Sequence, residues 1–148
     1  MQYPHATESC SGRQALHKWA VTLHKKYGRS SKTFLDKKHA LGFYEEFYSI
    51  EKANENLGHY FRSFYHILNF IEASAPPNLR KMYAKILRAQ LSYPELLLLA
   101  FNGLSQYGED KLKPVMEKYA MLEQLPEGYA EMSEWFKQHY SPNAFKDE

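Results

Sequence analysis

The sequence contains little cysteine and no long apolar run, and these two absences exclude several classes of protein. The single cysteine, Cys10, leaves the chain without an internal disulfide, so we expect a reducing compartment. The longest apolar run, Leu96 to Phe101, has six residues, whereas spanning a bilayer takes roughly 20. The first residues also lack the basic-then-apolar order of a secretion signal. We therefore expect a cytoplasmic protein that does not itself insert into a membrane.

The chain also lacks a strong excess of either charge. It carries 19 basic and 17 acidic residues, for a formal net charge of +2, which by itself points to neither nucleic acid nor an anionic membrane. In contrast, hydrophobic residues make up 44% of the chain and aromatic residues 16%. This composition is typical of a packed core, and 148 residues are enough for one domain.

The strongest local pattern predicts a helix with two opposed faces that ends before Ala75-Pro-Pro. An apolar stripe at helical spacing identifies its core face: Leu57, Phe61, Phe64, Leu68 and Ile71. A polar row recurs at the same spacing on the other side: Glu55, His59, Arg62, His66 and Asn69. That polar row is either a solvated face or a functional site.

Similar patterns predict an all-α, single-domain bundle of six or seven helices. We expect an irregular lead-in over 1–10, the helical domain over 11–140 and a frayed tail over 141–148. Ser92 and Glu95 form a capping-box pattern that begins an apolar helix near 93–106, the segment expected to be most buried. The other helices are expected at 11–27, from 33 onward, 78–91, 110–122 and 129–140. The helix at 110–122 is expected to be capped by Asp110.

Four blocks of the sequence are distinctive in composition and order: Leu57-Gly-His-Tyr-Phe-Arg-Ser-Phe-Tyr-His-Ile-Leu, Tyr83-Ala-Lys-Ile-Leu-Arg-Ala-Gln-Leu-Ser, Pro94-Glu-Leu-Leu-Leu-Leu-Ala-Phe-Asn-Gly-Leu-Ser and Lys113-Pro-Val-Met-Glu-Lys-Tyr. Together they resemble the phage abortive infection proteins of the AbiC-like family. The resemblance implies bacterial defence in which an infected cell stops supporting phage growth. Members of the family are often anchored in a membrane by hydrophobic helices, which this sequence lacks.

The polar row of the central helix supplies the first candidate site, formed by His59, Arg62 and His66. An arginine beside a histidine on a helix is similar to the HEPN-type ribonucleases, in which arginine would stabilise phosphorane charge and histidine would move a proton. Three residues separate Arg62 from His66, whereas the ribonuclease pattern has a longer separation. We therefore favour a polar or binding face over catalysis by Arg62 and His66.

A second candidate is an anion site at Arg88 and Gln90, to which Arg62 would contribute if the two arginines converge. The alternative is that Arg88 pairs with an acidic residue such as Glu95 or Glu55 at a helix junction. Aromatic residues such as Tyr48, on the second predicted helix, could stack on bases but are interpreted as core.

No metal site or cofactor is expected, because no histidine has another histidine four residues away and no metal-binding motif occurs. The leading hypothesis is a sensing or interaction module that binds a phage or host protein, with homo-oligomerisation left open. One alternative is a metal-independent ribonuclease that acts on RNA, and another is a structural subunit of a larger defence assembly.

Overall fold

A computed structural model of the chain describes residues 13–28, 37–50, 53–125 and 130–146. Within these ranges the backbone forms seven α-helices, one short 3-10 turn and no strand, which confirms the all-α prediction. The helices are α1 (Arg13–Gly28), α2 (Lys37–Ile50), α3 (Ala53–Ser74), α4 (Arg80–Ala89), α5 (Tyr93–Leu104), α6 (Leu112–Lys118) and α7 (Ala130–His139). The 3-10 turn follows at Pro142–Ala144.

Helix α5 lies at the centre of the core, as its apolar sequence predicts. Every residue from Glu95 to Leu104 is buried, and the helix packs against α1, α2 and α6. The capping box is confirmed: the Ser92 hydroxyl accepts from the Glu95 amide, and the Glu95 carboxylate accepts from the Ser92 amide. The helix ends at Leu104, before the predicted Gln106, because Ser105 is extended and its hydroxyl donates to the Asn102 carbonyl at 2.7 Å.

Helix α3 packs on this centre through the predicted apolar stripe, and every member of the stripe is buried. The helix ends at Ser74, before the paired prolines, as predicted. On the opposite flank, His59, Arg62 and His66 are exposed. A continuous apolar stripe thus fixes the rotation of α3 and turns its polar row away from the core.

Helix α4 contributes to the core with one small residue, Ala84, and one charged residue, Arg88. It begins at Arg80, later than the predicted Asn78, because residues 77–79 form a turn. Large apolar side chains on this helix and on neighbouring α3 face solvent: Ile67, Phe70, Met82, Tyr83 and Ile86. The α3–α4 hairpin is therefore the most apolar part of the exposed surface among the described residues.

Helix α6 is shorter than the predicted 110–122, and Asp110 does not cap it. The N-cap position is occupied by Lys111, which makes no side-chain capping bond. The Gly108 carbonyl instead accepts from the amides of Leu112 at 2.8 Å and Lys113 at 3.0 Å. The preceding turn thus supplies the hydrogen bonds that a capping carboxylate would have made.

The C-terminal end of α6 is closed by a Schellman motif that has alanine in place of the usual glycine. The Met121 amide donates to the Met116 carbonyl at 3.0 Å, and the Ala120 amide donates to the Glu117 carbonyl at 3.5 Å. Ala120 has a φ of 50°, in the left-handed region that favours glycine. Because no glycine marks this position, the end of the helix could not be recognised from the sequence.

Residues 140–146, which follow α7, pack against the domain, whereas a frayed tail was predicted over 141–148. The Leu122 amide donates to the Ala144 carbonyl at 2.9 Å, and the Ser141 amide donates to Glu117 Oε1 at 2.8 Å. Ala144 is fully buried. Glu117, on α6, therefore fixes the start of the terminal segment through a charge-assisted bond to its backbone.

Some predictions lie outside the described residues. They concern the lead-in over 1–10 with Cys10, the first helix residues before Arg13, the start of the second helix near 33, and the start of the last helix at 129. None of the helices in the described ranges combines the length and the apolar character that crossing a membrane requires.

Candidate functional site

A cavity of about 350 Å³ opens beside the polar flank of α3. Three basic side chains line it: Arg62 and His66 from α3, and Lys111 from the turn before α6. Residues four apart on a helix lie on the same side, so Arg62 and His66 reach the cavity together. The lining contains no carboxylate among the described residues. The positive charge of the cavity is therefore not balanced within its own wall.

His59, the third member of the predicted row, contacts Arg62. Arg62 Nη2 lies 3.1 Å from His59 Nδ1. A guanidinium has only donors, so this bond requires Nδ1 of a neutral His59 to accept, with the ring proton on Nε2. His59 is not part of the cavity lining, and its ring restricts the directions in which the guanidinium can point.

Gly58 lies beneath the guanidinium, in the interior of α3. A Cβ at this position would lie 3.3 Å from Tyr48 Oη and 3.6 Å from Arg62 Nη1. The first of these distances is tighter than ordinary van der Waals contact. The missing side chain thus allows the Tyr48 hydroxyl and the Arg62 guanidinium to approach the backbone of α3 together.

Aromatic rings form the remaining wall of the cavity. Tyr48, Phe61, Tyr65 and Tyr107 belong to the lining, and the ring centroids of Tyr48 and Tyr107 are 4.8 Å apart. Tyr48 is buried, whereas Tyr107 is 48% exposed. The cavity is therefore cationic along α3 and at Lys111, and aromatic where α2 meets the turn after α5.

The hydroxyl of Tyr48 is held in its protonated form. Burial raises the pKa of Tyr48, nearby Tyr107 raises it further, and the positive charge of Arg62 acts in the opposite direction. The hydroxyl accordingly remains a neutral hydrogen-bond donor at ordinary pH.

Asn102 connects the cavity to the buried core. Its Nδ2 donates to Tyr44 Oη at 3.1 Å, and both side chains are buried. Tyr44 in turn stacks on Phe101, with ring centroids 5.7 Å apart. Because α2 and α5 are joined by this bond and this stack, the aromatic wall has a rigid support.

Arg88 lies apart from this cavity, in a buried ion pair at another junction. Its side chain is 5% exposed, and its Nη2 lies 2.6 Å from Glu123 Oε2. Nη1 donates to the Ala120 carbonyl at 2.9 Å and to the Tyr119 carbonyl at 3.4 Å. Arg88 therefore pairs with an acidic residue, as the alternative interpretation expected. The partner is Glu123 rather than Glu95 or Glu55.

Arg62 and Arg88 do not converge on one cavity, because the Arg88 guanidinium is directed to the carbonyls that follow α6. Gln90, the second residue of that candidate, is exposed at the C-cap of α4 and does not line the cavity. Glu95, the partner suggested for Arg88, accepts instead from Tyr60 Oη at 3.2 Å.

A second ionic cluster is centred on Glu72 of α3, between one and two helical turns beyond His66. Lys118 Nζ lies 2.5 Å from Glu72 Oε1, and the Tyr119 hydroxyl donates to Glu72 Oε2. The hydrogen bonds from Lys118 and Tyr119 lower the pKa of Glu72. Burial and the bond to Glu72 raise the pKa of Tyr119 to about 12. This cluster ties the C-terminal end of α6 to α3.

Sequence reasoning did not identify three residues of the cavity: Asn102, Tyr107 and Lys111. They lie on α5 and in the turn that follows it, far along the chain from Arg62. The described lining of the cavity contains no carboxylate, although Glu109 and Asp110 immediately precede Lys111 in the sequence. Helical periodicity identifies neighbours on one helix, and it carries no signal for a contact of this kind.

Comparison with known proteins gives a family and no individual relative. No curated protein and no solved structure matches the chain. The model of the family described as "Putative phage abortive infection protein" matches residues 52–129, just over half of the chain. This segment includes Arg62, His66, Tyr107 and Lys111, whereas Tyr48 lies before it. The chain therefore belongs to this abortive infection family, whose part in bacterial defence against phage it shares.

Proposed function

We propose that the protein acts in abortive infection as a sensing module that binds a phage or host component at the cationic cavity. The observation that carries this proposal is the convergence of Arg62, His66 and Lys111 on one cavity whose described lining has no carboxylate. The bound component presents an anionic group to these side chains, and the aromatic wall contacts the rest of it.

The charge pattern elsewhere in the molecule supports this assignment. Arg88 is paired with Glu123, and Lys118 is paired with Glu72. Like charges that share a cavity repel one another, and the repulsion grows where protein walls exclude water. An anionic ligand would remove this repulsion, so its binding stabilises the cavity more than it would stabilise a solvated polar face.

The ribonuclease alternative finds less support in the cavity. Arg62 and His66 do line it together, but cleavage through the 2′-hydroxyl needs both a base and an acid. His59 Nδ1 already faces Arg62, and the raised pKa of Tyr48 keeps its hydroxyl protonated, so that it is not available as a base. Lys111 would have to serve as the second group. Binding without cleavage therefore fits the side chains better.

The test is phage plating on cells that express the wild-type chain, Arg62→Ala or Lys111→Ala. We expect both variants to lose protection while their melting temperatures stay within a few degrees of wild type, because both side chains are exposed. Lys137→Ala is the matched control, since it removes one positive charge from an exposed position on α7 that does not line the cavity.

Three outcomes would contradict the proposal. Full protection by Arg62→Ala and Lys111→Ala would show that the cavity has no part in defence. RNA that is cleaved by the purified wild type, and left intact by His66→Ala, would favour the ribonuclease instead. Absence of protection by the wild-type chain alone would favour a structural subunit of a larger assembly.

A further inference from the structure

The three basic side chains of the cavity offer complementary ways of holding a phosphate group. Arg62 provides a planar fork of donors, Lys111 provides a compact charge, and His66 provides a ring N–H. A phosphate monoester carries about two negative charges and three acceptor oxygens. It matches three convergent donors better than a carboxylate, which carries one charge and two oxygens.

The aromatic wall adds a second type of contact beside these cations. Tyr107 packs against Tyr48 and is still 48% exposed, so a large part of its ring is accessible at the cavity. Phe61 and Tyr65 extend this aromatic surface along α3. Nucleic acid bases stack on such rings whatever their sequence, because every base has a π-face.

The size of the cavity limits what it can enclose. Its volume of about 350 Å³ is near the lower end of the range for small-molecule sites, roughly 300–1,000 Å³. A single nucleotide therefore suits it better than a folded peptide or a length of nucleic acid strand.

We infer that the cavity binds a nucleoside monophosphate, with the phosphate held by Arg62, His66 and Lys111 and the base stacked on Tyr107. This inference rests on the proposed function and names the chemical class of the component that is sensed. The monophosphate is either a free nucleotide or the 5′ end of an RNA strand, since both present the same phosphate beside a base.

Calorimetric titration of the full chain tests the inference. The probes are adenosine 5′-monophosphate, adenosine, inorganic phosphate and a 5′-phosphorylated hexaribonucleotide. We expect the monophosphate to bind at least tenfold more tightly than adenosine or inorganic phosphate, because only the monophosphate makes both types of contact. Stronger binding of the hexamer than of the monophosphate assigns the ligand to an RNA end, and equal or weaker binding assigns it to a free nucleotide.

Substitutions separate the two contacts. Arg62→Ala should weaken binding of the monophosphate at least tenfold, since a charge-assisted pair is lost. Tyr107→Leu should weaken the monophosphate about tenfold and leave inorganic phosphate unchanged, because only stacking is lost. Tyr107→Phe retains the ring and should bind like wild type, as should Lys137→Ala, whose charge lies outside the cavity.

Two results would overturn the inference: no binding of the monophosphate at millimolar concentration, or equal binding of inorganic phosphate with no effect of Tyr107→Leu. These results can be told apart from failure of the proposed function. Loss of phage protection in Arg62→Ala without nucleotide binding by the wild type would retain the sensing site and reject this ligand. Nucleotide binding with full protection by Arg62→Ala would retain the ligand and reject its role in defence.

Discussion

Arg62 and Arg88 are both helical arginines of one small domain, and their surroundings are opposite. Arg88 is buried, with its guanidinium directed to Glu123 and to two backbone carbonyls. Arg62 is exposed at a cavity, where its neighbours are His66, Lys111 and aromatic rings. The same type of side chain thus joins parts of the fold at Arg88 and faces a ligand-sized cavity at Arg62.

This difference indicates where changes should affect stability and where they should affect binding. A buried guanidinium that satisfies carbonyls and a carboxylate cannot be removed without leaving those groups short of a partner. An exposed guanidinium beside other cations contributes little to folding, because solvent already stabilises its charge. The following predictions test this division, beginning with the largest expected effect.

Arg88→Ala should lower the free energy of unfolding by about 2–3 kcal/mol, somewhat less than the loss of a fully buried pair, because Glu123 is partly exposed and can still be hydrated. Urea denaturation followed by circular dichroism measures this change. Arg62→Ala is the matched control and should stay within about 0.5 kcal/mol of wild type. Equal losses of unfolding free energy in the two variants would show that Arg88 contributes no more to stability than Arg62 does.

Ala120→Gly should raise the free energy of unfolding by about 0.5–1 kcal/mol, since glycine adopts a φ of 50° without steric cost. The same substitution at Ala84, inside α4, should lower it by about 1 kcal/mol, because glycine is a poor helix former. Thermal or urea denaturation of the two variants should therefore show opposite signs. A loss of stability in Ala120→Gly would mean that Ala120 is not strained.

The smallest effect is expected from the pH dependence of Glu72, which lies on α3 between the two regions. Its pKa is lowered in the folded state, so its contribution is present above the ordinary value near 4.5 and is lost as the pH falls through the folded value. Because this carboxylate is partly exposed, we expect a contribution below about 1 kcal/mol.

Urea midpoints measured from pH 7 down to pH 3 check this expectation for Glu72. Glu72→Gln should follow a flatter curve than wild type, since the substituted side chain does not titrate. Glu134→Gln is a suitable control, because Glu134 pairs with Lys137 on an exposed turn of α7 and should leave the curve almost unchanged. Identical curves for wild type and Glu72→Gln would show that Glu72 makes no net contribution.

The parts of the fold that were predictable from sequence are those determined by neighbours along the chain. The stripe of α3 and the capping box of Ser92 and Glu95 are local, and both have the expected geometry. The end of α6 was not predictable, because the left-handed residue there is Ala120 and carries no glycine signal. The packed terminal segment depends on Glu117, more than twenty residues earlier in the chain.

The candidate site divides in the same way. Arg62 and His66 share one side of α3, and their spacing was enough to pair them. Lys111 joins them only because the turn after α5 folds back onto α3, and Arg88 is excluded because its nearest acidic group, Glu123, follows α6. Tertiary packing decides which distant residues meet at the cavity, and helical periodicity in one sequence does not indicate such contacts.

The short helix α6 joins the two regions compared above. Its seven residues span about 10 Å, and over that length a helix behaves as a stiff rod. Leu112 at its first turn lines the cavity, while Lys118 at its last turn is held by Glu72, next to the carbonyls that Arg88 fixes. A rod anchored at both ends transmits displacement rather than absorbing it. A displacement at the cavity should therefore reach the arginine junction through α6, although the side chains of the two places do not touch.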